Sequence, residues 1–207
     1  MLLGTAGTGK TTTLQAVINR IESRRLGKVA VCAFTGVAAS NVGGGARTLH
    51  DLFKLAKVNP TSGELEPLQG DDLEKLAKDL DGLLLLVIDE VSMLTRSMLA
   101  DVDTRLKEWR AFRKHPAKNE AFGGVGVVLA GDFGQLPPVR AEHLSLLCPG
   151  ISHGHGSRRA NLGMRLFRSF TSVVRLRRIH RQPGASAYKE SLIRLRDGAM
   201  TKEDHEL

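Results

Sequence analysis

Along the chain, short unbroken apolar runs alternate with stretches in which apolar residues recur every three or four positions. The first pattern belongs to strands buried on both faces of a parallel sheet, the second to helices that cover it. Leu2-Leu3 is the stub of a strand. A glycine loop follows, then a helix from about Lys10 to Ser23 with Leu14, Val17, Ile18 and Ile21 on one side. Further strands are expected over residues 29–34, 83–88, 125–130 and 172–176, and helices over 48–56, 72–80, 95–112 and 185–195. Thr95 is a natural N-cap for the longest of these helices. The alternation predicts an α/β domain with a mainly parallel sheet flanked by helices. Two stretches read as loops: 59–70, with Pro60, Gly63, Pro67 and Gly70, and 142–163, an insertion with Pro149 and the polar run Ser152-His153-Gly154-His155-Gly156-Ser157.

A chain of 207 residues holds one sizeable domain. Both ends read as cut, because the first strand has almost no residues before the glycine loop and residues 201–207 begin a capped helix and stop. Cys32 and Cys148 lie far apart and form no ligand pair, and Cys32 sits in an apolar run as a small buried side chain. The longest apolar run, residues 83–88, is too short to cross a bilayer, and no signal-peptide pattern opens the chain. The expectation is an intracellular protein: nuclear or mitochondrial if eukaryotic, otherwise cytoplasmic. The net charge of +8 favours an anionic partner, and arginines crowd the last quarter of the chain. A basic cluster is compatible with nucleic acid but is more often a solvated face.

The chemistry begins with Gly4-Thr5-Ala6-Gly7-Thr8-Gly9-Lys10-Thr11, which fits G-x-x-x-x-G-K-[ST] between a strand and a helix. Such a loop turns successive backbone N–H groups toward phosphate oxygens, and Thr12 continues it into the helix start. Lys10 supplies charge for the β- and γ-phosphates, and the Thr11 hydroxyl is a ligand for Mg2+. Asp89 and Glu90 follow the buried run 83–88. There Asp89 can hold the metal shell and Glu90 can polarise a water for attack on the γ-phosphate. The run 125–130 ends in Gly131-Asp132-Phe133-Gly134-Gln135-Leu136-Pro137-Pro138. By spacing alone this is a turn, with Gln135 at the same sheet edge. His50, by spacing alone, reads as a capping or surface residue. His153 and His155 lack a nearby carboxylate or cysteine and are not read as metal ligands. Trp109 and Tyr188 are read as packing residues.

Taken together the segments resemble the Pif family of 5′-to-3′ DNA helicases, in the RecD-like branch of superfamily one. Gly4 to Thr11 matches motif I, and Phe34-Thr35-Gly36-Val37-Ala38-Ala39 matches motif Ia. Gly44-Gly45-Ala46-Arg47-Thr48-Leu49-His50 is similar to the next strand-contacting segment, and Asp89-Glu90-Val91-Ser92-Met93 matches motif II. Phe122-Gly123-Gly124 with Gly131 to Val139 matches motif III, and Val174-Arg175-Leu176 with His180-Arg181-Gln182 resembles motif IV.

The resemblance implies a RecA-like P-loop NTPase fold and an ATP-driven helicase motor acting in DNA repair, recombination and telomere upkeep. It implies Mg2+ as cofactor and ATP as substrate. Lys10, Glu90, Gln135 and Arg181 would be catalytic, with Gln135 and Arg181 at the γ-phosphate. Thr35, Gly36, Thr48 and His50 would contact a single-stranded or forked DNA backbone, which such polar groups grip without reading sequence. Partners are then DNA and a second RecA-like domain, with no membrane, in a monomer. Three departures stand out. Gly134 occupies a position where the family often has an aromatic, no adenine-clamping Q-motif precedes the loop, and the second motor domain is not in the sequence. That domain would supply another arginine, and such fingers are worth about 10³ to 10⁵ in turnover. The 207 residues alone are therefore expected to hydrolyse ATP slowly and not to unwind duplex. Two other readings stay open: a nucleotide-binding fragment without motor output, and the helicase portion of a mobile-element or relaxase protein.

Overall fold

The computed structural model describes residues 1–34, 47–139, 144–151, 153–154, 157–180, 190–191, 194–195 and 198–205. Thr35, Gly36, Arg181 and Tyr188, and most of the helix expected over 185–195, lie outside the described residues.

Six strands form one sheet in the order β3-β2-β4-β5-β1-β6: β1 (Leu2–Gly4), β2 (Lys28–Ala33), β3 (Arg47–Thr48), β4 (Leu83–Ile88), β5 (Gly126–Gly131) and β6 (Val174–Leu176). Every pairing is parallel. The α/β expectation holds, and five of the strands fall within about two residues of their expected places; β3, only two residues long, was not expected, and Thr48 was read as the start of a helix. The continuous apolar runs are explained by burial on both faces. Along β4, Leu86 and Ile88 enter the larger core, whereas Leu85 and Val87 turn to the opposite side with Ala130 and Leu14. Cys32 is fully buried, which pushes its thiol up to about 12, so it is an inert core side chain.

Among the described residues, helices include α1 (Lys10–Ser23), α2 (Leu49–Phe53), α3 (Gly70–Asp79), α4 (Arg96–Phe112) and α5 (Ser157–Arg168). Thr95 caps α4 as expected, accepting the Met98 N–H at 3.1 Å. Thr48 caps α2 in the same way, accepting from Asp51 N–H at 3.2 Å. The helix expected over 48–56 is thus shorter: Lys54 turns left-handed and ends it.

One expectation fails. The insertion over 142–163 is not all loop, since α5 begins at Ser157. Gly163 in its middle reads as a breaker in sequence. In the structure it is the point of closest approach to α4, where an added Cβ would lie 1.7 Å from the Arg96 carbonyl oxygen. Ala160, Gly163, Met164 and Phe167 share the side of α5 that packs inward, the first three of them buried. Phe167 meets Phe133 edge-on at 6.0 Å, and Phe170 meets Phe122 at 5.9 Å.

Helix α4 is the central strut, and it buries charges as well as apolar residues. Arg105 is wholly buried and donates to the carbonyl oxygens of Phe53 at 3.0 Å, Glu66 at 2.8 Å and Lys54 at 3.4 Å, with Glu108 at 2.8 Å neutralising it. Asp103 accepts the Phe122 N–H at 2.6 Å and the Lys107 ammonium at 2.8 Å. Asp101 takes a two-pronged bond from Arg159 of α5, whose third nitrogen reaches Gly63 O. These bonds fasten the otherwise irregular 54–69 segment to the core. Trp109 is buried with the Arg110 guanidinium 4.1 Å above its ring, a packing residue as expected. Because removing Arg105 orphans several carbonyls and strips Glu108 of its partner, Arg105→Ala should destabilise the fold by about 3 kcal/mol. Urea unfolding measures this, and a loss below a few tenths of a kcal/mol would show that the buried guanidinium is not a fastener.

Candidate active site

Parallel strands send all their C-terminal ends to one rim, where open α/β sheets bind ligands. At that rim β1 runs into the phosphate-type loop. Gly4 has no room for a side chain, since a Cβ there would meet Thr8 Oγ1 at 2.5 Å and the Leu176 carbonyl oxygen at 3.0 Å. The Thr8 hydroxyl closes the loop on Thr5 O at 2.8 Å. Helix α1 then starts at Lys10 with Gly9 as an N-cap that offers no side-chain acceptor, and no acidic residue stands in its first turn. Its leading N–H groups thus face the cleft with no side-chain partner, as an anion requires. The Lys10 ammonium folds back onto the carbonyl oxygens of Gly4 at 2.8 Å and Thr5 at 3.1 Å.

Two strands away, β4 ends at Asp89 and Glu90. The Asp89 N–H is held by Cys32 O at 2.9 Å, and its carboxylate accepts the Glu90 N–H at 2.9 Å. Glu90 sits at φ 58°, a left-handed conformation that costs a non-glycine residue about 1 kcal/mol. This bend swings the chain into a short 3-10 turn, Val91–Met93. Gly131, at the end of β5, lets the two strand ends close up, because a Cβ there would lie 2.8 Å from Val91 N. Burial, then the Asp89 carboxylate, and finally Asp132 raise the Glu90 carboxyl above its ordinary range, against the pull of Lys10.

A cleft of about 790 Å3 gathers these groups: Ala6, Gly7, Gly9, Lys10, Thr11, Thr12, Asp89, Glu90 and Gln135, with His180. Lys10 and the acidic pair thus share one pocket. Three residues expected to bind nucleotide do not line it. Gly4 and Thr5 hold Lys10 from behind, and Thr8 is buried against Thr5. Gln135 reaches the cleft from the β5 loop. His180 was not expected: its N–H donates to Gly7 O at 2.8 Å, which folds the chain after β6 onto the loop. Its only signal in the sequence is its place before Arg181.

Thr48 ends β3, the far edge strand, and His50 follows it, on the same rim but separated from the loop by β2, β4 and β5. The Thr48 oxygen is engaged as the α2 cap, which leaves its hydrogen to donate. His50 is exposed, and its ring stands edge-on to Phe34 at 6.4 Å.

The hydroxyl of Thr11 and the carboxylate of Asp89 are hard oxygen donors of the kind magnesium takes, beside a cradle for phosphate. Among the described residues no cluster of three or more His, Cys, Asp or Glu side chains could hold a metal by itself, and no helix is long and apolar enough to cross a membrane. That donor set fits a cation that arrives with phosphate.

Glu90's raised affinity for protons has a stability consequence. Its carboxyl binds protons more tightly folded than unfolded, so at neutral pH its ionised form destabilises the fold. The penalty is complete above the folded value and disappears as the pH falls through it to below the ordinary glutamate value. Glu90→Gln should therefore raise the melting temperature at pH 7 in the absence of nucleotide, with the gain vanishing below about pH 4. An unchanged or lower melting temperature at pH 7 would contradict the burial argument.

The site's relatives are consistent with its geometry. The model of the PIF1-like helicase family matches residues 1–206. The chain is 40% identical over 140 residues to the ATP-dependent DNA helicase Pif1 of Psychrobacter sp., covering 67% of this chain and 19% of that protein. It superposes on Bacteroides Pif1 bound to ssDNA with a TM-score of 0.72 and 31% identity, over 99% of this chain and 44% of that one. Bacteroides Pif1 in complex with ADP-AlF3 and ssDNA matches at a TM-score of 0.72 with 29% identity, over 99% and 44%. The chain spans under a fifth of the length of the first curated relatives it matches. Its sheet is the RecA-like core of those helicases. The chain belongs to the PIF1-like helicase family.

Proposed function

We propose that this domain binds and hydrolyses Mg-ATP to drive a helicase 5′ to 3′ along single-stranded DNA in genome maintenance. The observation that carries the reading is the meeting of Lys10, Asp89, Glu90 and Gln135 in one cleft at the C-terminal rim of the sheet. A family relative solved with ADP-AlF3 and ssDNA supports it.

In this reading the loop amides and the α1 N-terminus take the β- and γ-phosphates. The Lys10 ammonium moves from the Gly4 and Thr5 carbonyl oxygens to the phosphates. Thr11 and Asp89 would hold magnesium, which when bound neutralises phosphate charge. Glu90 accepts a proton from the attacking water, and its raised affinity for protons suits a base working near neutrality. The neutral Gln135 amide orients that water or bonds the γ-phosphate. Arg181, beyond the described residues, follows His180 in the sequence and is the residue proposed to meet the γ-phosphate. Thr48 and His50, with Thr35 and Gly36, grip the DNA backbone along the other half of the rim. A second RecA-like domain completes the cleft and the DNA track, so that hydrolysis opens and closes the pair.

The test is ATPase activity of the complete protein with and without single-stranded DNA, beside residues 1–207 alone. DNA-stimulated turnover is expected of the whole protein and only slow turnover of the segment, with Lys10→Ala abolishing both. Glu90→Gln should retain nucleotide binding and lose about 10²- to 10⁴-fold in turnover. DNA affinity should fall with salt at a log–log slope of about −0.7 per phosphate contacted. Turnover indifferent to Lys10→Ala, or a complete protein that binds ATP without DNA stimulation, would overturn the motor reading in favour of a passive nucleotide-binding unit.

A further inference from the structure

Gln135 stands on a loop, and a loop amide is useful in hydrolysis only if its backbone is held still. What holds it is Asp132, a carboxylate 5% exposed that does not line the nucleotide cleft. Its side-chain Oδ1 accepts the Gly134 N–H at 3.0 Å, and its main-chain oxygen accepts the Gln135 N–H at 3.1 Å. The four residues 132–135 are thus closed twice, once through the side chain and once through the backbone, which is how an aspartate stabilises a tight turn. Both flanks of the turn are anchored too. Behind it, Gly131 packs on the backbone of Val91, one residue past Glu90. Within it, Phe133 is seated edge-on against Phe167 of α5. Ahead of it, Pro137-Pro138 stiffen the exit.

We propose that Asp132 is a positioning residue for ATP hydrolysis, acting through Gln135 by fixing the turn that aims its amide into the cleft beside Glu90. This rests on the reading of Gln135 given above. Gly134 makes the dependence sharper, because a glycine in the turn has the most backbone freedom to lose when Asp132 lets go. Asparagine keeps an Oδ1 acceptor for the Gly134 N–H and gives up only the charge. Alanine removes the acceptor.

Four versions of the complete protein test this: Asp132→Ala, Asp132→Asn, Gln135→Ala, and Asp132→Ala combined with Gln135→Ala. DNA-stimulated kcat, KM for ATP, the magnesium dependence and the melting temperature are measured for each. The expected result is that Asp132→Ala lowers kcat about 10- to 100-fold with KM unchanged, Asp132→Asn restores most of it, and Asp132→Ala costs nothing further once Gln135 is already alanine. Two independent losses that multiply would overturn the proposal, as would Asp132→Asn as slow as Asp132→Ala. A raised magnesium requirement in Asp132→Asn would also overturn it, by making Asp132 a partner of the metal shell. Wild-type kcat in Gln135→Ala would sink the underlying reading together with the proposal; a slow Gln135→Ala beside a normal Asp132→Ala would sink the proposal alone.

Discussion

Everything at the site follows from strands β1, β5 and β4 running parallel and side by side. A strand's C-terminal end delivers whatever residue comes next to one rim, and in a parallel array those deliveries are neighbours. Lys10 arrives six residues past the end of β1, Glu90 two past the end of β4, and Gln135 four past the end of β5. None of the three is near another in sequence. Were one of these strands reversed, its chemistry would move to the opposite rim and the cleft would lose either its cation or its base.

Such an array needs long crossovers, and each must be fastened without a strand of its own. Helix α4 does most of this with buried charge. Arg105 holds the 54–66 segment, Asp103 holds the Phe122 turn, and Asp101 with Arg159 ties α5 to Gly63. Replacing a buried ion pair by apolar residues is often harmless to stability. These groups differ in that most of their bonds go to backbone oxygens and nitrogens that have no ladder partner. An apolar replacement would leave those backbone groups orphaned in a core, which a simple ion pair does not risk.

Strands β2, β4 and β5 were legible because burial on both faces writes an unbroken apolar run, as in Leu83-Leu84-Leu85-Leu86-Val87-Ile88, whereas β3, two polar residues long, writes none. The loop and the acidic pair were legible because their chemistry fixes residue type and order, whereas Gln135 stood out only through the family resemblance. Helix α5 was not, since Gly163 answers to a tertiary contact with Arg96 that no local pattern records. The exclusion of Gly4, Thr5 and Thr8 from the cleft wall was hidden as well. A motif states which residues build a loop, but only coordinates state which of them face inward. His180 is tied to the loop by its backbone N–H on Gly7 O, a bond that no side-chain pattern announces.

Helix α5 also packs against the turn that carries Gln135. Its Phe167 seats Phe133, which lies between the two residues whose spacing sets the Gln135 turn. Beside that turn, Glu90 is kept in a left-handed bend and Asp89, Glu90 and Asp132 crowd like charges into a partly buried corner. Both features oppose folding. They persist because the surrounding strands over-determine the backbone there. Lys10 is held by the carbonyl oxygens of its own loop. A triphosphate bound in this cleft would bring negative charge to the loop and Lys10, and its cation would bring positive charge to the crowded carboxylates. The corner is therefore complementary to a ligand carrying both signs side by side, which neither a simple anion nor a simple cation can satisfy.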